Sequence, residues 1–276
     1  IAPWRAALPD VELDGLALLL DAASGAAWGH AADALIERGA RVIHRDNEPD
    51  GRNINADTGA MHPPTAAEVR SVDCQLAICL DGDADRIVLV DAEQGPLDGD
   101  DLLWLLCGHG GGPVVGTVMS NGGLEAALGG RLVRAPVGDQ NVASAMVAHQ
   151  AQIGAEPSGH VLFADGMPTG DGLYTALRVL AALRGPDGRP RLPVRARGWT
   201  RWPLAKKNVR FTGARTPLAQ LSTPAEATAA GNRVVVRYSG TEPKLRILVE
   251  GTGTGGDAPE AWVERIAAEF EAGRTA

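Results

Sequence analysis

The stretch Leu76-Ala77-Ile78-Cys79-Leu80-Asp81-Gly82-Asp83-Ala84-Asp85-Arg86-Ile87-Val88-Leu89-Val90 decides how this chain folds. The apolar, β-branched-rich runs on either side read as short buried strands. Between them, three carboxylates (Asp81, Asp83 and Asp85) share one tight loop. Two like charges about 5 Å apart repel by roughly 3 kcal/mol at an effective dielectric of 20, so such a cluster calls for a compensating cation. Its hard oxygens suit Mg²⁺ or another hard divalent ion. An EF-hand also opens D-x-D-x-D, but it needs Gly and Glu where this chain has Arg86 and Ala92. Arg86, a cation beside the carboxylates, reads as built-in charge balance rather than as part of a freely solvated turn.

Outward from this loop the chain alternates strand and helix. Leu16 to Leu20 reads as a strand, Ala31 to Arg38 as a helix and Arg41 to His44 as a strand. Thr65-Ala66-Ala67-Glu68 is a capping-box pattern that opens a helix to about Ser71. That order predicts a mostly parallel sheet with flanking helices. Further on, Asp100 to Cys107 reads as a helix and Val114 to Thr117 as a strand. Helices are expected at Gly123 to Leu128, Asn141 to Ala148 and Gly172 to Leu183, with a strand at Val161 to Phe163. Arg184 to Pro203, rich in Gly, Pro and Arg, reads as loop and linker. Strands are then expected near Val209 to Phe211, Arg233 to Val236 and Leu245 to Val249, with a last helix from Pro259 to about Ala272. The expected fold class is α/β: two three-layer α/β mixed-sheet domains, residues 1–96 and 97–203, followed by a small α+β C-terminal domain, 204–276.

Composition narrows the function. The 276 residues are 45% apolar, enough for a normal core without staples. Lys and Arg number 26 against 34 Asp and Glu, a net charge of −8, which argues against nucleic acid or an anionic membrane as partner. An anionic substrate would have to be gripped by local cations. Cys74, Cys79 and Cys107 are odd in number and form no C-x-x-C, which fits a reduced, cytoplasmic setting. No apolar run approaches transmembrane length. The chain begins at Ile1 rather than Met, as a processed or incomplete product would.

Two further constellations carry chemistry. Gly154-Ala155-Glu156-Pro157-Ser158-Gly159-His160 packs an acid, a hydroxyl and an imidazole between glycines. Such side chains hydrogen-bond sugar hydroxyls well, since each offers an acceptor, a donor or both. A Gly/Pro/Asp loop, Asp165 to Asp171, follows the next strand. Arg237-Tyr238-Ser239-Gly240-Thr241-Glu242-Pro243-Lys244-Leu245-Arg246 places hydroxyls, a glycine and cations in one turn between strands. Backbone N–H groups, hydroxyls and arginine forks in that arrangement make a phosphate cradle. Read alone, each motif is also compatible with an ordinary polar turn or an arginine-decorated hairpin.

Together these motifs resemble the phosphohexomutase family, and most closely its phosphoglucosamine mutase branch. Pro49-Asp50-Gly51-Arg52-Asn53-Ile54-Asn55, with Gly59, His62 and Val137-Gly138-Asp139, resembles that branch in particular. The resemblance runs from about Leu13 onward. It implies the second, third and fourth domains of a four-domain enzyme that moves a phosphoryl group on a hexose or hexosamine phosphate. It also implies Mg²⁺ on Asp81, Asp83 and Asp85 with Arg86 nearby, and a sugar loop at Glu156 and Ser158 with His160 adjacent. The implied phosphate loop is Arg237, Ser239, Gly240, Thr241 and Arg246. The family's phosphorylated serine, in a Ser-His-Asn-Pro-like loop of its first domain, has no counterpart: no Ser here precedes His-Asn, and Ser120-Asn121 is followed by Gly122. No catalytic residue is therefore assigned, and the missing N-terminal domain is an expected partner. Ala84 stands where the family usually has Gly. Gln140 and Asn141 stand where the phosphoglucosamine branch usually has Arg and Tyr.

Overall fold

The computed structural model describes residues 2–45, 48–107, 111–167, 169–192, 198–240, 242–251 and 257–275. The chain divides into two compact units, 1–120 with 130–198, and 121–129 with 199–276.

The first unit holds two sheets. After a short helix α1 (Ala2–Ala7) come β1 (Ala17–Asp21), α2 (His30–Ile36), β2 (Arg41–Arg45), α3 (Ala66–Ser71), β3 (Leu76–Leu80), β4 (Ile87–Asp91) and β5 (Gly95–Leu97). The sheet order is β2-β1-β3-β4-β5. Pairing is parallel across β2-β1-β3 and antiparallel across β3-β4-β5. The sheet is thus mixed rather than mostly parallel, because the short acidic loop can return the chain only as an antiparallel hairpin. β1, β3 and β4 are buried along their whole length, as their unbroken apolar runs require. The capping box forms as read: Glu68 N–H donates to Thr65 Oγ1, and Thr65 N–H donates back to Glu68 Oε2 at 2.6 Å.

β1 ends at Asp21, whose buried carboxylate organises the strand ends. It accepts from Thr58 Oγ1 at 2.9 Å, Gly59 N–H at 2.9 Å and Ala23 N–H at 3.0 Å, and pairs with Arg45 at 2.9 Å. This ties the segment before α3 to the edge of the sheet that carries the acidic loop.

The second sheet is β7-β6-β8-β9. It is built from β6 (Val114–Thr117), β7 (Leu132–Ala135), β8 (Ile153–Ala155) and β9 (Val161–Phe163). Helices α4 (Gly99–Leu106), α6 (Asp139–His149) and α7 (Gly172–Ala182) accompany it; α5 (Gly122–Ala127), between β6 and β7 in sequence, belongs to the other unit. β8 lacked a strand signature in the sequence because Gly154 and Ala155 are poor strand formers. Gly154 is needed for packing: a Cβ there would sit 2.6 Å from Val142 Cγ1 and 2.8 Å from Met146 Sδ of α6. α7 is almost wholly buried and packs against β3, β4 and α4.

The second unit contains a three-stranded antiparallel sheet in the order β10-β12-β11, with β10 (Leu204–Arg210), β11 (Arg233–Tyr238) and β12 (Lys244–Glu250). Helices α8 (Thr223–Ala229) and α9 (Pro259–Thr275) complete it. Trp262, Val263, Ile266, Ala267 and Phe270 recur at helical spacing on α9 and pack onto Val209, Leu245, Ile247 and Val249. Glu250 is fully buried. It is held by Arg233 at 2.6 Å and by Gly122 N–H at 3.0 Å.

Among the described residues no helix is long and apolar enough to cross a membrane. All three cysteines are free thiols, and burial pushes the thiol of Cys79 upward.

Candidate functional site

The acidic loop is the turn of the β3–β4 hairpin. One oxygen from each of Asp81, Asp83 and Asp85 can be chosen so that all lie within 4.8 Å of one another. Asp81 is fully buried, Asp85 is partly covered and Asp83 is exposed. Both oxygens of Asp81 face Arg86: the backbone N–H donates to Oδ1 at 3.1 Å and Nε donates to Oδ2 at 2.6 Å. Asp85 Oδ1 lies 3.6 Å from Arg86 Nε, and this oxygen is buried without a hydrogen bond. Burial first, then the neighbouring Asp81 and Asp83 carboxylates, push the Asp85 carboxyl above its ordinary value; His160 and Arg86 oppose this. A converging set of hard oxygens, one of them buried and unsatisfied, fits a small divalent cation.

The predicted sugar residues sit beside this loop, in the same unit. Glu156 to His160 form the turn of the β8–β9 hairpin, closed by Glu156 N–H to His160 O at 2.9 Å. Arg86 and His160 are bridged as antiparallel neighbours, and Ile87 N–H donates to Gly159 O at 3.1 Å. Gly159 has φ 92°, and a Cβ there would strike the Ile87 carbonyl oxygen at 1.9 Å, so the two hairpins meet backbone to backbone. His160 Nδ1 reaches Asp85 Oδ2 at 3.3 Å, while its Nε2 is buried without a hydrogen bond. Glu156 Oε1 accepts from Gly138 N–H at 2.9 Å, so the Val137-Gly138-Asp139 stretch at the start of α6 sets that side chain. Ser158 is exposed at the tip of the turn.

The predicted phosphate loop lies in the second unit, as the turn of the β11–β12 hairpin. Arg237 and Arg246 stand directly opposite one another in its register. Like charges facing across strands destabilise a sheet unless an anion lies between or above them. Arg246 Nη2 donates to Ser239 Oγ at 3.3 Å, and its Nε is buried without a hydrogen bond. Ser239 is itself buried and closes the turn by donating its N–H to Lys244 O at 2.9 Å. Glu242 partly balances the cluster, 2.6 Å from Lys244 and 3.5 Å from Arg246. The hydrogen bond from Lys244, with the nearby cations, keeps its carboxyl below the usual range. Gly240 has open space where a side chain would be. Thr241 lies outside the described residues.

Arg215, not singled out in the sequence, donates to the Ser239 carbonyl at 3.0 Å from the loop after β10. No local pattern marks it, since its partner is remote in sequence. Ser120 is buried within its own turn, its Oγ accepting from Thr117 N–H at 3.0 Å, so it is not presented as a nucleophile.

Residues 98–192 match the family model for the alpha/beta/alpha domain III of phosphoglucomutase/phosphomannomutase, and residues 207–272 match the model for the C-terminal domain. A relative from Novosphingobium aromaticivorans named phosphoglucosamine mutase is 43% identical over 95% of this chain and 62% of its own length. Another so named, from an Anaeromyxobacter species, is 42% identical over 95% of this chain and 58% of its own. The chain therefore spans about three-fifths of these relatives. Among solved structures, a phosphoglucomutase/phosphomannomutase family protein from Burkholderia thailandensis superposes with a TM-score of 0.66 at 20% identity. The match covers 95% of this chain and 61% of that one. An N-acetylglucosamine-phosphate mutase in its substrate complex gives 0.63 at 19% identity, over 98% and 62%. At those identities the two structures speak for the fold.

Proposed function

Given that this chain belongs to the phosphohexomutase family, we propose that it forms the metal-, sugar- and phosphate-binding part of a phosphoglucosamine mutase. The reaction is interconversion of glucosamine 6-phosphate and glucosamine 1-phosphate by phosphoryl transfer through a bisphosphate intermediate. One observation carries this reading. The hairpin bearing Asp81, Asp83 and Asp85 is bonded backbone to backbone to the hairpin bearing Glu156, Ser158 and His160. A cation site is thereby fixed beside a set of sugar-type donors and acceptors. The names of the relatives support the choice of sugar.

Asp81, Asp83 and Asp85 would hold Mg²⁺, one of the hard divalent ions that carboxylate oxygens suit. When bound, it supplies charge neutralisation for a transferring phosphoryl group. Glu156 and Ser158 bind and orient the ring hydroxyls. Arg237, Ser239, Gly240, Thr241 and Arg246 grip the phosphate that is not reacting. Phosphoryl transfer depends chiefly on such positioning. No serine of residues 1–276 precedes His-Asn, so the phosphoryl donor would come from outside them. On this reading the divisions 1–96, 97–203 and 204–276 are taken as the metal, sugar and phosphate modules, and the odd number of cysteines supports a cytoplasmic setting.

The test is twofold. The 276-residue chain should bind glucosamine 6-phosphate in calorimetry and show no mutase turnover alone. Turnover should appear when a catalytic-serine domain of a relative is added. Robust turnover by the pure chain overturns this reading. The second reading is a phosphomannomutase/phosphoglucomutase: Asn53-Ile54-Asn55 disfavours it, Gln140 in place of the branch's usual Arg weakens that argument, and tighter binding of mannose or glucose 6-phosphate would select it. Binding with no turnover under any supplementation would leave a phosphosugar-binding protein.

A further inference from the structure

The acidic loop contains a backbone conformation that its own sequence disfavours. Ala84, at its centre, has φ 61°, in the left-handed region where a Cβ crowds the following carbonyl. Its N–H donates to Asp81 O at 3.0 Å, and its carbonyl accepts from Gly172 N–H at 2.8 Å. Gly172 is the first residue of the buried helix α7, so this hydrogen bond reaches the loop from a fixed base.

The approach leaves no room for a side chain at either glycine of this segment. A Cβ on Gly172 would fall 2.5 Å from Leu80 Cδ2 and 2.9 Å from the Arg86 carbonyl oxygen. A Cβ on Gly170 would fall 2.8 Å from the Asp85 carbonyl oxygen and 2.6 Å from His160 Nε2. Between them, Asp171 locks the segment. Its Oδ1 accepts from Tyr174 N–H at 2.8 Å, capping α7, and its Oδ2 accepts from the Trp4 indole N–H at 2.6 Å.

We propose that Gly172, seated by Asp171, is a positioning residue for the cation site: it holds the left-handed turn at Ala84 that gathers the oxygens of Asp83 and Asp85 with that of Asp81. This role rests on the reading of the three aspartates as an Mg²⁺ site. It implies linkage, in which ion binding and the Gly172–Ala84 hydrogen bond stabilise one another.

Mn²⁺, a paramagnetic stand-in for Mg²⁺, is titrated into the full chain and its free signal followed by electron paramagnetic resonance. Gly172→Ala should weaken Mn²⁺ binding by about tenfold, equivalent to about 1.4 kcal/mol. Asp171→Ala should weaken it in the same direction. In the unaltered chain, saturating Mg²⁺ should slow hydrogen exchange at the Gly172 amide more than at the other amides of α7, a difference that general stabilisation by a bound ion would not give. Parental Mn²⁺ affinity in a folded Gly172→Ala protein, or Gly172 exchange slowed by bound Mg²⁺ no more than the rest of α7, overturns the positioning role. If Gly172→Ala does not fold, the exchange measurement decides alone. A parent chain that binds no Mn²⁺ overturns the metal reading itself, whereas a parent that binds it with Gly172 indifferent overturns only the coupling.

Discussion

Arg86 folds back on Asp81, placing Nε 2.6 Å from Oδ2 and its own backbone N–H 3.1 Å from Oδ1. Asp81 is fully buried while the arginine side chain is one-third exposed. Removing the cation leaves a buried carboxylate with no charged partner on either oxygen among the described residues. Breaking a fully buried pair costs about 3–5 kcal/mol, and the exposure of Arg86 trims this to about 2–3 kcal/mol. Arg86→Ala should therefore lower the urea midpoint clearly in the absence of divalent ions. Part of that loss should return on adding Mg²⁺, because the ion replaces the missing charge. A variant as stable as the parent in metal-free buffer would show that the Arg86–Asp81 pair contributes nothing to the fold.

Asp83 gives the opposite balance. It is exposed and crowds two other carboxylates. Asp83→Asn should leave metal-free stability unchanged or slightly raised, since like-charge repulsion is relieved. Calorimetric Mg²⁺ binding, one site in the parent, should disappear. Undiminished binding by a protein with all three aspartates changed to asparagine would move the cation site elsewhere.

What could be read in the sequence was what is local. The β3–β4 hairpin and its carboxylates lie within a few positions, so period and composition suffice. The same holds for the capping box of Thr65 and Glu68. What could not be read depends on partners far apart in the chain. Glu156 is set by Gly138, Ser239 is braced by Arg215, and the acidic loop is backed by Gly172. Helix α8 escaped because its sequence buries only Thr223 and Ala227, too little for a periodic signal.

Arg237 and Arg246 face each other across β11 and β12. Burying part of two arginines in that register is favourable when an anion joins them. A charge-assisted hydrogen bond contributes roughly 1.5–3 kcal/mol, so Arg246→Ala should weaken sugar-phosphate binding by about 10- to 150-fold. Arg246→Lys should recover only part of this, because a point charge cannot make the planar two-point contact. Direct titration with glucosamine 6-phosphate reads both. Parental affinity in both variants would reduce the arginines to decoration on a solvated hairpin.

Helix α8 has no side-chain cap of its own; its N-terminus is served by Glu269 of α9. The Glu269 carboxylate accepts from Ser222 N–H at 2.7 Å, Ser222 Oγ at 2.9 Å and Thr223 N–H at 3.0 Å. Partial burial would raise its pKa, but these hydrogen bonds overcome that and bring it from 4.5 down to about 2. The folded value lies below the unfolded one, so the stabilisation is fully present above about pH 4.5. It is lost as pH falls through about 2. The group is largely solvated, so its contribution is that of an ordinary helix cap, about 1 kcal/mol, rather than the full shift. Glu269→Gln should lower the unfolding free energy read from urea denaturation at pH 7 by that amount. The gap between parent and variant should close progressively between pH 4.5 and 2. A gap that stays constant across this window would mean that the cap works through hydrogen-bond geometry alone, and that the carboxylate charge contributes nothing to it.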